Sequence, residues 1–594
     1  MELPLDFPCG VSIGFVVKCS ASCKQIKKIF RFLSATPSPA ISFVVLCAKK
    51  KTMSGAVIEN LSGRKLLVIV CGLLICQIIC FLIGGLGAPV PSSVQTILPT
   101  VCQDNGNSFN DSTKWFWTRG EGSCTAQTSI EDSVNVRSNP RAVMAFQMPL
   151  PRDGHILDFS RWQQSLIGML QLDIKLTEDA TVLPQAIPIT LDARLAFANK
   201  HQPKWEKLAI SLEQRHLECQ TEAYHILKCD PVALFELGSL HHDYYLLNIR
   251  FPVDTERQLN LQIEEITEAT VTAIYQNGGF TKVWLGLKFV FAVTVGTMLG
   301  WFWHRVHQLQ RKPVLLEWML MGLGGAMTLL NLPIELATLS MDMPFMLLLT
   351  DIRQGIFYAV LLSFWLIFTG EHLMIQLDNQ RTTLFNYWRH LSAVGVSCIA
   401  LFAFDMCERG IKLRNPFYSV WISPLTANIA SIFIGIATIS AVIYFVFLCF
   451  MVYRVMKNIG AKKTSMSTMS AARRHRYNGI IYRFQFLMLA TIVCAAFTVV
   501  GFVMGQVDEQ QLKWNETTSI EMNSAFLTGV YGMWNIYVVA LLALYAPSHK
   551  KHQQIVPPPS NMSTEEIEFS NFPAESNPSE ISSLTSFSRK SAFE

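Results

Sequence analysis

Leu66–Leu86 reads LLVIVCGLLICQIICFLIGGL, a run without one charged side chain. A bilayer core needs about 20 apolar residues per helix, so this run alone takes the chain out of the soluble class. Seven more segments of the same kind lie further along: Val283–Trp303, Leu315–Leu336, Phe345–Thr369, Leu391–Gly410, Ala427–Val452, Phe484–Met504 and Ala525–Tyr545. Hydrophilic residues 87–282 separate the first from the other seven. The expected fold is an α-helical polytopic membrane protein of eight spans: seven in a bundle, one extra N-terminal helix, and one folded extramembrane domain inserted between them.

Composition agrees. Half of the 594 residues are apolar and 16% are charged, and the mean hydropathy of +0.30 is unusual for a soluble chain of this length. The net charge of +5 is no nucleic-acid signal, because the basic residues gather beside span ends. Arg64 and Lys65 precede the first span, Arg305 and Arg311 come after the second, and Arg454 to Arg483 fill the loop between the sixth and seventh. The positive-inside rule then places both termini and these loops in the cytosol and the large block in the lumen or outside.

Two further signals point the same way. The sequons at Asn110 and Asn515 both fall on the expected luminal side, where each could carry a glycan. Four of the fifteen cysteines, Cys102, Cys124, Cys219 and Cys229, lie in the block. An even set in an oxidising compartment reads as two disulfides with three conceivable pairings; the sequence-local pairs Cys102–Cys124 and Cys219–Cys229 are expected.

The chain divides into residues 1–52, a disordered extension or an over-long gene model ahead of Met53; 53–87, a cytosolic N-terminus and first span; 88–281, the luminal domain; 282–546, the bundle; and 547–594, a Ser/Pro/Asn/Glu-rich disordered tail. Within 88–281, apolar residues alternate with polar ones at Leu170–Leu176, Ile187–Phe197, Leu247–Val253 and Leu259–Ile263. Period-two alternation means half-buried antiparallel strands, hence a β-sandwich or open barrel, with a helical insertion expected near Trp162–Met169. There is no metal-ligand spacing, phosphate loop or nucleophile elbow, so no catalytic residue, metal or cofactor is expected.

Charge inside a span is expensive and marks function by default. Asp351, Arg353 and Gln354 sit about two turns inside the luminal edge of the fourth span. Asp405, Glu408 and Arg409 crowd the end of the fifth, where the i,i+4 spacing of Asp405 and Arg409 lets them pair on one helix face. Asn331, Pro333 and Glu335 close the third. Together they form either the polar lip of a cavity open to the lumen or a set of ion pairs stitching helices. Lys288 and Glu317, near span ends, are expected to snorkel.

Several strings carry a family resemblance. They are Asn277-Gly-Gly-Phe-Thr-Lys-Val-Trp284, Asp351-Ile-Arg-Gln-Gly-Ile-Phe-Tyr-Ala359, Phe404-Asp-Met-Cys-Glu-Arg-Gly410 with Asn415-Pro-Phe-Tyr-Ser419, Tyr531-Gly-Met-Trp-Asn535 and Leu544-Tyr-Ala-Pro-Ser-His549. In order and with the same eight-span plan, they resemble the Wntless (Evi, Sprinter) family from about Met53 to Lys550. The resemblance implies a receptor-like seven-helix bundle, an extra first helix and a luminal β-sandwich. It also implies a carrier of lipid-modified Wnt proteins through endoplasmic reticulum and Golgi to the plasma membrane, recycled from endosomes by retromer. The first 52 residues and the ending Ser588-Arg-Lys-Ser-Ala-Phe-Glu594 depart from the family pattern, so no C-terminal retrieval signal is transferred.

On this reading an acyl chain lies among spans four to seven, below Asp351, Arg353, Asp405, Glu408 and Arg409, against Tyr358, Phe404 and Phe433. The partners implied are acylated Wnt proteins, retromer, a clathrin adaptor and membrane lipids. In the cytosolic loop, Tyr477-Asn-Gly-Ile480 fits a Tyr-x-x-apolar endocytic signal at the position of the family's Tyr-Glu-Gly-Leu; its other reading is an interfacial anchor of the seventh span. The rival from another class is a G-protein-coupled-type receptor, disfavoured because no Asp/Glu-Arg-Tyr closes the third helix of the bundle.

Overall fold

The computed structural model describes residues 56–61, 63–103, 124–126, 134–135, 139, 141–149, 157–177, 186–223, 226–309, 311–374, 387–465, 478–479, 481–482, 484–500 and 521–548. By compactness the chain divides into Met1–Met53 and Ser54–Glu594, and every described residue belongs to the second unit.

Alternating apolar residues build two sheets between the first helix and the other seven. One runs β1 (Ser92–Ile97), β12 (Ile263–Gln276), β6 (Leu166–Leu176), β9 (Ile226–Cys229), with β10 (Val232–Leu237) also on β6 and β4 (Val134–Asn135) on β12. The other runs β7 (Ala186–Asn199), β11 (Tyr244–Arg250), β5 (Ala142–Met148), β2 (Thr100–Gln103), β3 (Thr125–Ala126). A long strand, β8 (Gln202–Ala223), belongs to both: it pairs β7 up to Glu218 and β9 from Cys219 onward. The inner faces meet in one core that includes Leu172, Ile174, Ile189, Leu191, Ile249 and Val271. That is the sandwich the alternation predicts. Its ends are pinned by the disulfides Cys102–Cys124 and Cys219–Cys229, the second lying across the β8–β9 ladder.

Two local expectations fail. Leu166–Met169 begins strand β6 rather than a helix. Gly168 explains the choice: a Cβ there would fall 2.1 Å from the Phe235 ring, so the residue that weakens a helix lets β10 lie flat on β6. Leu259–Ile263 is not a strand until Ile263, because Leu259 pairs back to Asp254 across a turn with Gln258 and Asn260 at φ 53° and 52°. Asn tolerates that region. The Asn260 side chain then bonds the Thr190 N–H at 2.9 Å and the Thr190 carbonyl at 2.7 Å, an arrangement that alternation cannot show.

Among the described residues the long helices are α1 (Gly63–Leu82), α2 (Gly278–Gln308), α3 (Leu315–Asn331), α4 (Met346–Met374), α5 (Trp388–Asp405), α6 (Pro424–Ser465), α7 (Phe484–Val500) and α8 (Glu521–Leu544). Seven are long and apolar enough to cross a membrane, and α7 is a shorter apolar helix over its described residues. The eight expected spans therefore each have their helix. Outward positions such as Leu67, Ile75, Phe289, Ile432, Phe445 and Leu489 are apolar and exposed, a surface made for lipid rather than water. Helix α1 packs on α8 through small residues, since at Gly529 a Cβ would meet the Phe81 ring. Gln77 donates to the Gly529 carbonyl at 2.9 Å and Thr528 to the Cys80 carbonyl at 3.0 Å. β12 runs almost directly into α2, whose first turn is capped by the Asn277 side chain accepting from Gly279 N–H. The sandwich is thus set on one end of the bundle.

Candidate functional site

Where the sandwich meets the bundle, the chain concentrates its charge. α3 stops at Asn331 because Pro333 cannot continue it, and Ile334–Leu339 comes next as a 3₁₀ turn. That turn carries Glu335 back into the bundle, where one carboxylate oxygen meets Lys288 Nζ of α2 at 2.6 Å and Arg353 Nη2 of α4 at 2.5 Å. Arg353 also donates to the Leu332 carbonyl at 2.7 Å. Lys288 and Arg353 are 4% and 2% exposed. Beside them Asn331 donates to Asn535 of α8 at 2.6 Å and accepts from Tyr531 at 2.6 Å. Four helices are therefore tied at one depth. The sandwich touches the same turn: Gln164 donates to the Glu335 carbonyl at 3.4 Å and Arg161 to the Leu339 carbonyl at 3.1 Å.

A second, wetter network lies at the end of α5. The helix widens there into a π turn, Met406–Gly410, and the extra residue per turn swings Arg409 off the face of Asp405. Arg409 Nε pairs instead with Asp351 of α4 at 2.5 Å, and its Nη1 reaches Glu236 of β10 at 3.6 Å. Lys412 bridges Glu236 at 2.7 Å and Glu408 at 2.6 Å, and Glu408 accepts from Val420 N–H at 2.9 Å. Burial pulls the Lys412 ammonium down, but the carboxylates of Glu236 and Glu408 outweigh it and hold the group above its ordinary value. The loop after the π turn is stitched to the sandwich by backbone and side chain. Glu236 N–H donates to the Pro416 carbonyl at 3.0 Å, and buried Arg215 of β8 donates to the Phe417 carbonyl at 2.6 Å while pairing with Glu213 at 2.8 Å.

The two networks sort the predicted residues. Asp351, Arg353, Glu408 and Arg409 all hold charged partners, but in two networks rather than one lip. The expected Asp405–Arg409 pair is not made; among the described residues Asp405 has no hydrogen bond or ion pair. Lys288 and Glu317 do not snorkel. Lys288 is locked to Glu335, and Glu317 is buried, pairing with Arg311 at 2.6 Å and accepting from Val314 N–H at 2.9 Å. A partner supplied by another element holds each charge inside, and no single span reveals it. Gln354 and Tyr358 are exposed, Phe404 stands 6.4 Å from the Trp421 ring, and Phe433 is half-buried on α6. Asn110, Asn515, Tyr477 and Ile480 lie outside the described residues. Sequence reasoning missed Glu236, Lys412 and Arg215, whose only signal was charge in a strand or loop.

Between the second network and the sandwich is a cavity of about 130 Å³, with Leu208, Leu237, Leu347, Leu348 and Leu413 as its apolar wall and His241, His242, Asp342, Arg409 and Lys412 at its polar side. His242 stacks on Phe197 at 3.7 Å and its Nδ1 lies 3.1 Å from Asn199 Oδ1. Burial, and then the charge of His241, hold the imidazole below its ordinary value. A histidine so held excludes a proton that the unfolded chain binds, so folding loses stability as pH falls below 6.5 toward the folded value. Melting curves from pH 7 to 5 are expected to decline in this window, and His242→Gln should flatten the decline. A slope unchanged by the substitution would assign it to other groups.

The networks also differ in how they answer substitution. Arg409→Met should release Asp351 and Glu236 and weaken the seat of the sandwich by about 1–2 kcal/mol, the pair being a third exposed. Asp405→Asn should change stability by less than about 0.5 kcal/mol. Equal losses in thermal unfolding would contradict this assignment.

Comparison with known proteins covers the same two parts. The family model "Wntless-like, transmembrane domain" matches residues 277–549, and "Wntless, GOLD domain" matches residues 100–276. The chain is 55% identical over 567 residues to the protein called "Protein wntless" in Drosophila persimilis, covering 91% of this chain and 100% of that one. It is 54% identical over 570 residues to the protein of that name in Drosophila virilis and 53% over 563 in Drosophila sechellia, with the same coverage.

Proposed function

The chain belongs to the Wntless family, and from that premise we propose that it is a carrier, not an enzyme, that binds lipid-modified Wnt proteins and escorts them to the cell surface. What supports this reading is the joining of helices and sandwich in one charged network. Asp351 of α4, Arg409 of the π turn and Glu236 of β10 meet in one network, so a cargo of two parts, lipid and protein, would meet helices and sandwich at the same place. A secreted protein bearing an acyl chain of about 16 carbons exposes about 0.8 kcal/mol per CH₂ to water. On this reading the chain lies among α4 to α7, below the charged layer, and the sandwich holds the protein part.

On this reading the sandwich and the sequons Asn110 and Asn515 face the lumen, and both termini face the cytosol. The carrier travels through endoplasmic reticulum and Golgi to the plasma membrane. It returns through endosomes with the help of a clathrin adaptor at Tyr477 and Ile480 and of retromer. Tyr358, Phe404 and Phe433 line the acyl site.

Co-purification tests the core of it. Wild-type carrier should retain acylated Wnt at least about a hundredfold better than the same Wnt in a non-acylatable form. Equal recovery of the two would overturn the reading.

A further inference from the structure

Among the described residues, strand β8 has an edge with no strand paired to it. It pairs β7 along its first seventeen positions, Gln202 to Glu218, yet among the described residues its other edge gains no ladder until β9 begins at Cys219. The loop at Asn415–Phe417 crosses near Ser211 to Arg215, which leaves Lys204 to Ile210 open. Open edges are usually blunted by charge or Pro. Lys204 and Lys207 do this at the start, but Leu208, Ile210 and Leu212 come next on the strand, each between 37% and 58% exposed.

The register slips at this place. Ala209 pairs Leu195 and Lys207 pairs Ala196, so Leu208 is the extra residue of a β-bulge, a device that re-aims one side chain. Leu208 lines the junction cavity with Leu237 and Leu413. At about 130 Å³ this cavity is smaller than the roughly 150 Å³ that accommodates benzene. It cannot hold a chain of about 16 carbons, but it suits one apolar side chain. An exposed edge beside a one-residue pocket is the arrangement by which an extended peptide adds a strand, main-chain bonds giving affinity and the pocket giving selectivity.

We propose that the edge of β8 from Lys204 to Ile210, with the junction cavity, docks an extended segment of the acylated cargo and takes one of its apolar side chains. The position argues for the occupant: Arg409 and Lys412, which tie the sandwich to the bundle, line the same cavity, so polypeptide attached to a chain held among the helices would lie beside this edge. This inference rests on the carrier reading.

The test separates the two. Leu208→Trp fills the cavity, and p-benzoylphenylalanine at the exposed Ile210 reports what lies on the edge without disturbing the core. Two probes are compared on the full-length carrier in detergent: an acylated Wnt protein, and a short peptide bearing the same monounsaturated acyl group. Leu208→Trp should lower capture of the protein about tenfold or more and leave capture of the peptide within about twofold. The Ile210 photoprobe should crosslink the protein. Unchanged protein capture by Leu208→Trp with an unaltered melting curve, or photoproducts containing only lipid or a second carrier, would overturn the docking site. Failure of wild-type carrier to hold the acylated peptide would overturn the carrier reading instead, and the photoprobe would still decide whether protein sits on β8.

Discussion

Glu335→Gln is expected to prevent accumulation of folded protein. One carboxylate holds two buried cations, Lys288 and Arg353, so the substitution leaves both uncompensated in a site cut off from water. Breaking one buried pair typically costs about 3–5 kcal/mol, against a total stability of about 5–15 kcal/mol for a domain. The contrast that identifies the cause is Lys288→Met. It removes one of the two cations, leaves Arg353 and Glu335 as a balanced pair, and replaces an ammonium stem with an apolar one of similar length. Such a change is often neutral or stabilising. Detergent-solubilised protein should therefore show little monodisperse material for Glu335→Gln and near-parental melting for Lys288→Met. Similar losses in both would mean that packing, not charge balance, governs this depth of the bundle.

Arg215→Met should detach the loop between α5 and α6 from the sandwich. Arg215 is 5% exposed and donates to the carbonyls of Leu234 and Phe417 while pairing with Glu213. Methionine keeps the stem but strands the Glu213 carboxylate, so a loss of about 3–4 kcal/mol is expected. It should be read as faster hydrogen exchange at residues 411–423 and a lower melting temperature. Adding Glu213→Gln should restore part of the loss, because the two groups are directly coupled. Protection at 411–423 that survives Arg215→Met would show that the Glu236–Pro416 backbone bond suffices to hold the loop.

Much of this architecture can be read one segment at a time. Leu66–Leu86 is a membrane helix in any context, because the bilayer demands length and apolarity and nothing else. β6, β7 and β11 announce themselves by alternation because each has one face in the core. The four cysteines in one hydrophilic block already suggest two disulfides, and the sequence-local pairs expected are the two found.

β8 is different. Its inner face carries Glu213 and Arg215 while Leu208, Ile210 and Leu212 face outward, so its alternation points the wrong way, and the carbonyls of Leu234 and Phe417 help make burial of the charged pair tolerable. Gly168 looks like a helix weakness until the Phe235 ring lies over it. The charges in the spans show the same division. That Asp351, Arg353, Glu335 and Arg409 cannot face lipid is dictated by sequence, since an unpaired charge at that depth is too costly. Which partner each finds was decided by tertiary structure: a π turn moved Arg409 from Asp405 to Asp351, and the break at Pro333 carried Glu335 between Lys288 and Arg353. A sequence lists charges along one dimension, while an ion pair depends on distance and dielectric in three, and both are set only when separate helices and a strand come together.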